Sequence, residues 1–155
     1  MQLKLLIEIN SARGKFPHAI LFFNDKKQVI KKTSIIELNV NDDDVIMLCM
    51  AGKSNTDTVI DDCGNIIEDM SVILTGLFLG GVDYIDQLYF LPCFDENNKL
   101  KESNPYLSRN GCLKIDIHHL VHDVNIDFSN IKILSIQEIA KEVLGRPINI
   151  NIINE

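Results

Sequence analysis

The densest group of metal-ligating side chains in the sequence is His118-His119-Leu120-Val121-His122-Asp123. Imidazole nitrogens and carboxylate oxygens are ligands for zinc-class cations. On a helix, His118 and His122 would share a face with Asp123 nearby. The preceding residues argue for a strand instead, because Leu113, Ile115 and Ile117 alternate with Lys114, Asp116 and His118. On a strand His118, Leu120 and His122 point one way and His119, Val121 and Asp123 the other, and two histidines so spaced can still chelate. The glutamate of an HExxH motif is absent, so we read these residues as polar strand positions near a turn. His118, His122 and Asp123 remain the metal candidates.

Three other patterns have a chemistry to test. Asp57-Thr58-Val59-Ile60-Asp61-Asp62-Cys63-Gly64 is acidic enough for calcium, which needs several convergent oxygens, but its ligand alternation and glycine placement miss the EF-hand loop. Asp61 and Asp62 are expected to accept backbone N–H bonds in a turn. Gly52-Lys53-Ser54 and Gly80-Gly81 lack the full phosphate-loop spacing, and Gly52 follows an apolar run. Cys49, Cys63, Cys93 and Cys112 lie 14, 30 and 19 residues apart with no CxxC pair. That predicts reduced, partly buried structural thiols. No nucleophile–base arrangement stands out. The sequence predicts no enzyme, no catalytic residue and no cofactor.

The elements that would position these residues are mostly strands. Leu3, Leu5, Ile7 and Ile9 alternate with Gln2, Lys4, Leu6 and Glu8, the pattern of a half-buried strand. PHAILFF follows, with Pro17 tolerable at a strand start. Asn24-Asp25-Lys26-Lys27 predicts a hairpin turn, and Ile36, Leu38 and Val40 alternate again. VIMLCMA (45–51) predicts a strand buried on both faces, or nearly so. Thr58–Asp61 and Asn65–Glu68 flank a three-residue loop ending in Gly64, Ser71–Leu79 is β-rich, and Gln87–Phe94 is a further strand candidate. Asn110-Gly111 signals a turn before the strand CLKIDIHHL. Ser135 and Glu138 form a capping box, and Ile136, Ile139, Ala140, Val143 and Leu144 make one apolar stripe, predicting an amphipathic helix over about 136–144. Ile148, Ile150 and Ile152 then alternate with asparagines as a terminal strand suited to an open sheet edge. The expected fold is mainly β: an antiparallel, jelly-roll-like β-sandwich over residues 1–134, with a C-terminal helix-and-strand appendage over 135–155.

A chain of 155 residues with 46% apolar and 24% charged residues has one domain's length and enough material for a core. No apolar run approaches the roughly 20 residues of a membrane helix, and MQLKLLIEINSARGK lacks the plan of a signal peptide. Membrane insertion and secretion by a signal peptide are therefore not expected. The net charge of −7 is uneven: residues 1–32 carry +5, residues 33–98 carry −12 and the rest is neutral. The acidic middle argues against nucleic-acid binding. The basic start, with Lys26, Lys27, Lys31 and Lys32, suits an acidic surface on the same chain or a neighbour.

Two segments carry a family likeness. DTVIDDCGNIIEDMSVILTGLFL resembles a D-T-x-V-D-x-x-G-x-I-x-x-D-x-x-I-x-I pattern that follows a hydrophobic strand. Asn104-Pro105-Tyr106-Leu107-Ser108-Arg109-Asn110-Gly111 is similar to a Y-L-G-x-N-G turn opening a final strand, with Ser108 in the first glycine's place. Together they resemble small β-sandwich virion and tail accessory proteins of tailed bacteriophages, over about residues 18–117. The resemblance implies a virion protein made in the host cytoplasm, acting by contacts with itself, as a homo-oligomer, or with other virion proteins. Ile148, Ile150, Ile152 and the four lysines are its candidate contact residues. Two alternatives come from other classes. One is an acidic immunity or inhibitor protein that binds a basic toxin. The other is a carbohydrate-binding module using Tyr84, Tyr89, Phe94 and Tyr106 around the 95–110 loop.

Overall fold

The computed structural model describes residues 1–124, the side chains of Asp123 and Val124 excepted. The expected helix at 136–144 and the strand carrying Ile148, Ile150 and Ile152 lie outside the described residues.

The chain forms β1 (Gln2–Asn10), β2 (His18–Phe23), β3 (Lys26–Ile30), β4 (Ser34–Asn39), β5 (Val45–Ala51), β6 (Thr58–Ile60), β7 (Ile66–Asp69), β8 (Ser71–Leu79) and β9 (Val82–Asp83). A 3-10 turn at Ile85–Phe90 follows, then β10 (Cys93–Asp95), β11 (Leu100–Lys101), β12 (Tyr106–Leu107), β13 (Gly111–Asp116) and α1 (Ile117–Val124). One sheet has the order β12-β8-β1-β4 with β9 beside β8, and the other has the order β11-β10-β13-β5-β2-β3. All the pairings are antiparallel. The protein is a mainly β antiparallel sandwich, as expected. Among the described residues no helix is long and apolar enough to cross a membrane.

The period-two pattern explains why the sheets face each other. Leu3, Leu5, Ile7 and Ile9 of β1 are buried, with Leu74, Leu77 and Leu79 of β8 beside them. The opposite sheet contributes Ala19, Leu21, Ile46, Leu48, Met50, Leu113 and Ile115 to the same cluster. Burying a leucine or isoleucine stabilises by about 1.5–3 kcal/mol, so this shared layer supplies the main driving force for the fold. Between Leu6 and Ile7 the β1–β8 register shifts by one residue. The Thr75 hydroxyl donates to the Leu6 carbonyl at 3.2 Å across this irregularity.

Four expectations need correction. β5 is buried on one face only: Ile46, Leu48 and Met50 turn inward, while Val45 is exposed and Met47 and Cys49 are half-buried. The run is apolar throughout because its outward residues meet other apolar groups, Met47 facing Phe22 and Cys49 facing Ile20 on β2. Of the strand expected over Gln87–Phe94, residues 87–90 belong to the 3-10 turn, with Leu88 buried, and only Cys93 and Phe94 are extended, as the start of β10. Cys49 and Cys112 are not reduced thiols: they are register partners on β5 and β13 and form a disulfide. Cys63 and Cys93 stay free.

The fourth correction concerns residues 117–122, which are helical. Asp116 accepts the His119 amide at 3.2 Å, an N-cap bond that satisfies one of the helix's orphan donors. Ile117, Leu120 and Val121 then fall at i, i+3 and i+4; the first two are buried and Val121 packs against the core.

Candidate functional site

The β6–β7 hairpin stands apart from both sheets, and its strands pair only with each other. Its tip turns on Asp61, whose Oδ1 accepts the amides of Cys63 (2.9 Å) and Asn65 (2.8 Å), while Gly64 takes a φ of 84°. Among the described residues no such bond involves Asp62, so the turn role expected for the pair falls to Asp61. Ile60 and Ile66 face each other across the hairpin, and Ile60, Ile66 and Ile67 are 57%, 64% and 62% exposed. Single exposed isoleucines are ordinary, but three on one short hairpin are an unusual apolar load for an exposed element.

The base of this arm is fixed by two aspartates. Asp57 Oδ2 accepts bonds from the Ser54 amide (2.7 Å), the Ser54 hydroxyl (3.0 Å) and Lys15 Nζ (3.0 Å). Asp69 accepts from Lys53, from the Thr58 hydroxyl at 2.8 Å and from the Tyr106 hydroxyl at 3.1 Å. Lys53 also donates to the Ser108 carbonyl, and its backbone exchanges two 2.9 Å bonds with the Asn110 side chain. Lys53 therefore serves as a structural cation beneath the arm, which removes the phosphate-loop idea for Gly52-Lys53-Ser54. Asp57 and Asp61 take part in separate turns and do not converge as a calcium loop requires.

These bonds set the acid response of the arm. The Ser54 amide, then Lys15, lowers the Asp57 carboxyl below the ordinary 3.8. The Asn65 amide does the same for Asp61. Burial works to raise Asp69, but the bonds from Lys53 and Thr58 and the charge of Lys53 outweigh it and leave it lowered. A carboxyl whose folded value is depressed adds stability above its unfolded value and loses it as the pH falls through the folded value. We therefore expect amide-exchange protection across 58–69 to persist at neutral pH and to drop below about pH 4, before the sandwich core opens. Protection that holds unchanged down to pH 3 contradicts this.

Lys26, Lys27, Lys31 and Lys32 are all exposed at the β2–β3 hairpin and just beyond it. None of them has an ion-pair partner among the described residues. They form a basic edge distinct from the acidic arm.

A concavity of about 320 Å³ opens between β10 and the 101–111 segment, with Tyr89, Phe94 and Tyr106 among its walls and Asp95, Lys101 and Arg109 as charged groups. Cys93 lies at this wall and its thiol donates to the Asn104 carbonyl at 3.1 Å. Burial pushes that thiol up, so it is a poor nucleophile. Tyr84, the fourth aromatic candidate, is buried in the core.

His118 and His122 do share a helical face. Their rings lie 4.2 Å apart, and each reaches Asp42 Oδ2, from His118 Nδ1 at 3.2 Å and from His122 Nε2 at 3.3 Å. Asp42 comes from the turn between β4 and β5. That turn is docked on the helix start by the Ile117 amide, which donates to the Asp44 carbonyl at 3.1 Å. Asp123 follows His122 in α1, and its side chain lies outside what is described. Sequence reading missed Asp42 because it lies 76 residues before His118. Compared with known proteins, the chain matches no family model, no curated protein and no solved structure.

Proposed function

We propose that the protein is a non-enzymatic structural β-sandwich that works through subunit contacts, as a virion or tail-associated component of a tailed bacteriophage. The observation that carries the contact role is the β6–β7 arm, an apolar tip on a base held by the Asp57 and Asp69 networks. The bonds at its base restrain the arm before it docks, which lowers the entropy lost on contact and favours its use as a contact element. The lysines of the β2–β3 edge, which have no ion-pair partner among the described residues, supply the opposite charge to the acidic arm, so an arm-to-edge contact between copies, or with another virion protein, is electrostatically complementary. The phage assignment rests on the likeness of residues 57–79 and 104–111 to the accessory-protein patterns.

Light scattering after size exclusion tests this reading. The full chain is expected to run above the 17.5 kDa of one copy, and Ile60→Ser/Ile66→Ser/Ile67→Ser to return it toward that mass. Truncation after Gly145 gives the same loss if residues 148–153 join subunits. An unchanged mass in the triple variant, or a monomeric full chain, counts against self-assembly.

The three aromatics around the 320 Å³ concavity favour one second reading, a carbohydrate-binding module. A monomer whose glycan-array signal is lost in Tyr106→Ala selects that reading.

A further inference from the structure

We propose that Asp42, His118 and His122 form a binding site for a late first-row divalent cation of the zinc class. One ligating atom from each residue lies within 4.8 Å of the others, and among the described residues no other three such groups converge this closely. In a tetrahedral zinc shell, with bonds of roughly 2.0–2.2 Å, neighbouring donors stand roughly 3.3–3.6 Å apart. The two imidazole-to-carboxylate separations, 3.2 and 3.3 Å, lie at or just below the short end of that spacing. Binding needs the ring nitrogens to turn lone pairs rather than protons toward the centre, and the two imidazole nitrogens, which lie within 4.8 Å of each other, to settle at the same spacing.

Two rigid elements hold the donors in place. The helix presents His118 and His122 one turn apart, and the Asp42 turn is fastened to the start of the same helix by the Asp44–Ile117 bond. Two imidazoles select zinc-class ions over calcium or magnesium, which prefer all-oxygen shells. The side chains of His118 and His122 are 59% and 51% exposed, and that of Asp42 is 46% exposed, so the remaining coordination positions face solvent and take water. The ion would clip the β4–β5 turn to α1, independently of the contact role of the arm.

The test titrates the full, untagged, chelator-treated chain with Zn²⁺ in competition with a chromophoric chelator. One equivalent per chain is expected. His118→Gln, His122→Gln and Asp42→Asn should each weaken binding at least about tenfold. His119→Gln and Cys63→Ser should leave the affinity unchanged. Because the three ligands are exposed, these variants are expected to keep the parent far-UV spectrum, which is checked alongside. The proposal is overturned if the parent binds no more Zn²⁺ than the His118→Gln/His122→Gln double variant. It is equally overturned if affinity falls in His119→Gln or Cys63→Ser while the three ligand variants bind like the parent.

Discussion

Reducing the Cys49–Cys112 bridge is expected to lower the stability of the protein by about 4 kcal/mol while leaving β5 and β13 paired. The bridge closes a loop across 63 residues, and in the chain-entropy view a loop of that size restricts the unfolded ensemble far more than the native one. The native strands need no cross-link to stay in register. They pair from Gly111 opposite Met50 to Asp116 opposite Val45, and Leu48, Leu113, Ile46 and Ile115 are buried beneath them. Urea titrations with and without reductant should show a lower midpoint in the reduced protein. The slope should also be steeper, because the unlinked chain exposes more surface on unfolding. Thiol counting in denaturant supplies the control: two thiols, Cys63 and Cys93, before reduction and all four cysteines after it. Four thiols from the outset with an unmoved midpoint would sink the assignment.

That disulfide shows what a linear reading cannot reach. Local alternation makes β1 and β4 legible, because a half-buried strand writes its two faces into successive residues, while β2 shows as an apolar run after Pro17 and the β6–β7 hairpin through its Gly64 loop. Which strand lies beside which is a property of the topology. Cys49 and Cys112 read as isolated thiols until β13 is placed against β5, and Asp42 reads as one of three loop acids until the helix lands beside it. The apolar run of β5 misled for a related reason. A strand reads as buried on both faces whenever its outward residues are also apolar, and Met47 and Cys49 are apolar because their cross-strand neighbours Phe22 and Ile20 are.

The helix is written in the sequence beneath a competing strand period. Leu113, Ile115 and Ile117 keep the strand rhythm up to the last residue before the change, so His118 reads as the next outward position. Two signals run against that. Asp116 precedes the segment as an N-cap residue, and Ile117, Leu120, Val121 and Val124 fall at i, i+3, i+4 and i+7 in the sequence. Had the period been allowed to switch from two to 3.6 at Ile117, the shared face of His118 and His122 would have followed. Its carboxylate partner would still have been hidden.

Gly111→Ala is expected to destabilise the protein by roughly 3 kcal/mol, and for a reason other than turn chemistry. The Asn110-Gly111 pair reads as a turn signal, which assigns the glycine a left-handed backbone. Gly111 is not among the residues with positive φ; it begins β13 opposite Asp95 of β10. A methyl group added there would lie 2.3 Å from the carbonyl oxygen of Phe94. That oxygen belongs to the backbone of the neighbouring strand, so no side-chain rotation relieves the overlap, and either β10 or the start of β13 must move. Gly64→Ala separates the two explanations. Gly64 does have a positive φ, yet open space surrounds the position of its missing Cβ, so alanine there meets conformational strain alone, roughly 1–2 kcal/mol. If glycine serves close approach at 111 and backbone conformation at 64, the denaturation midpoint falls further for Gly111→Ala. Exchange protection should then be lost in β10 and β11 for the first variant and only around residues 61–65 for the second. Equal shifts would return Gly111 to the role of an ordinary turn glycine.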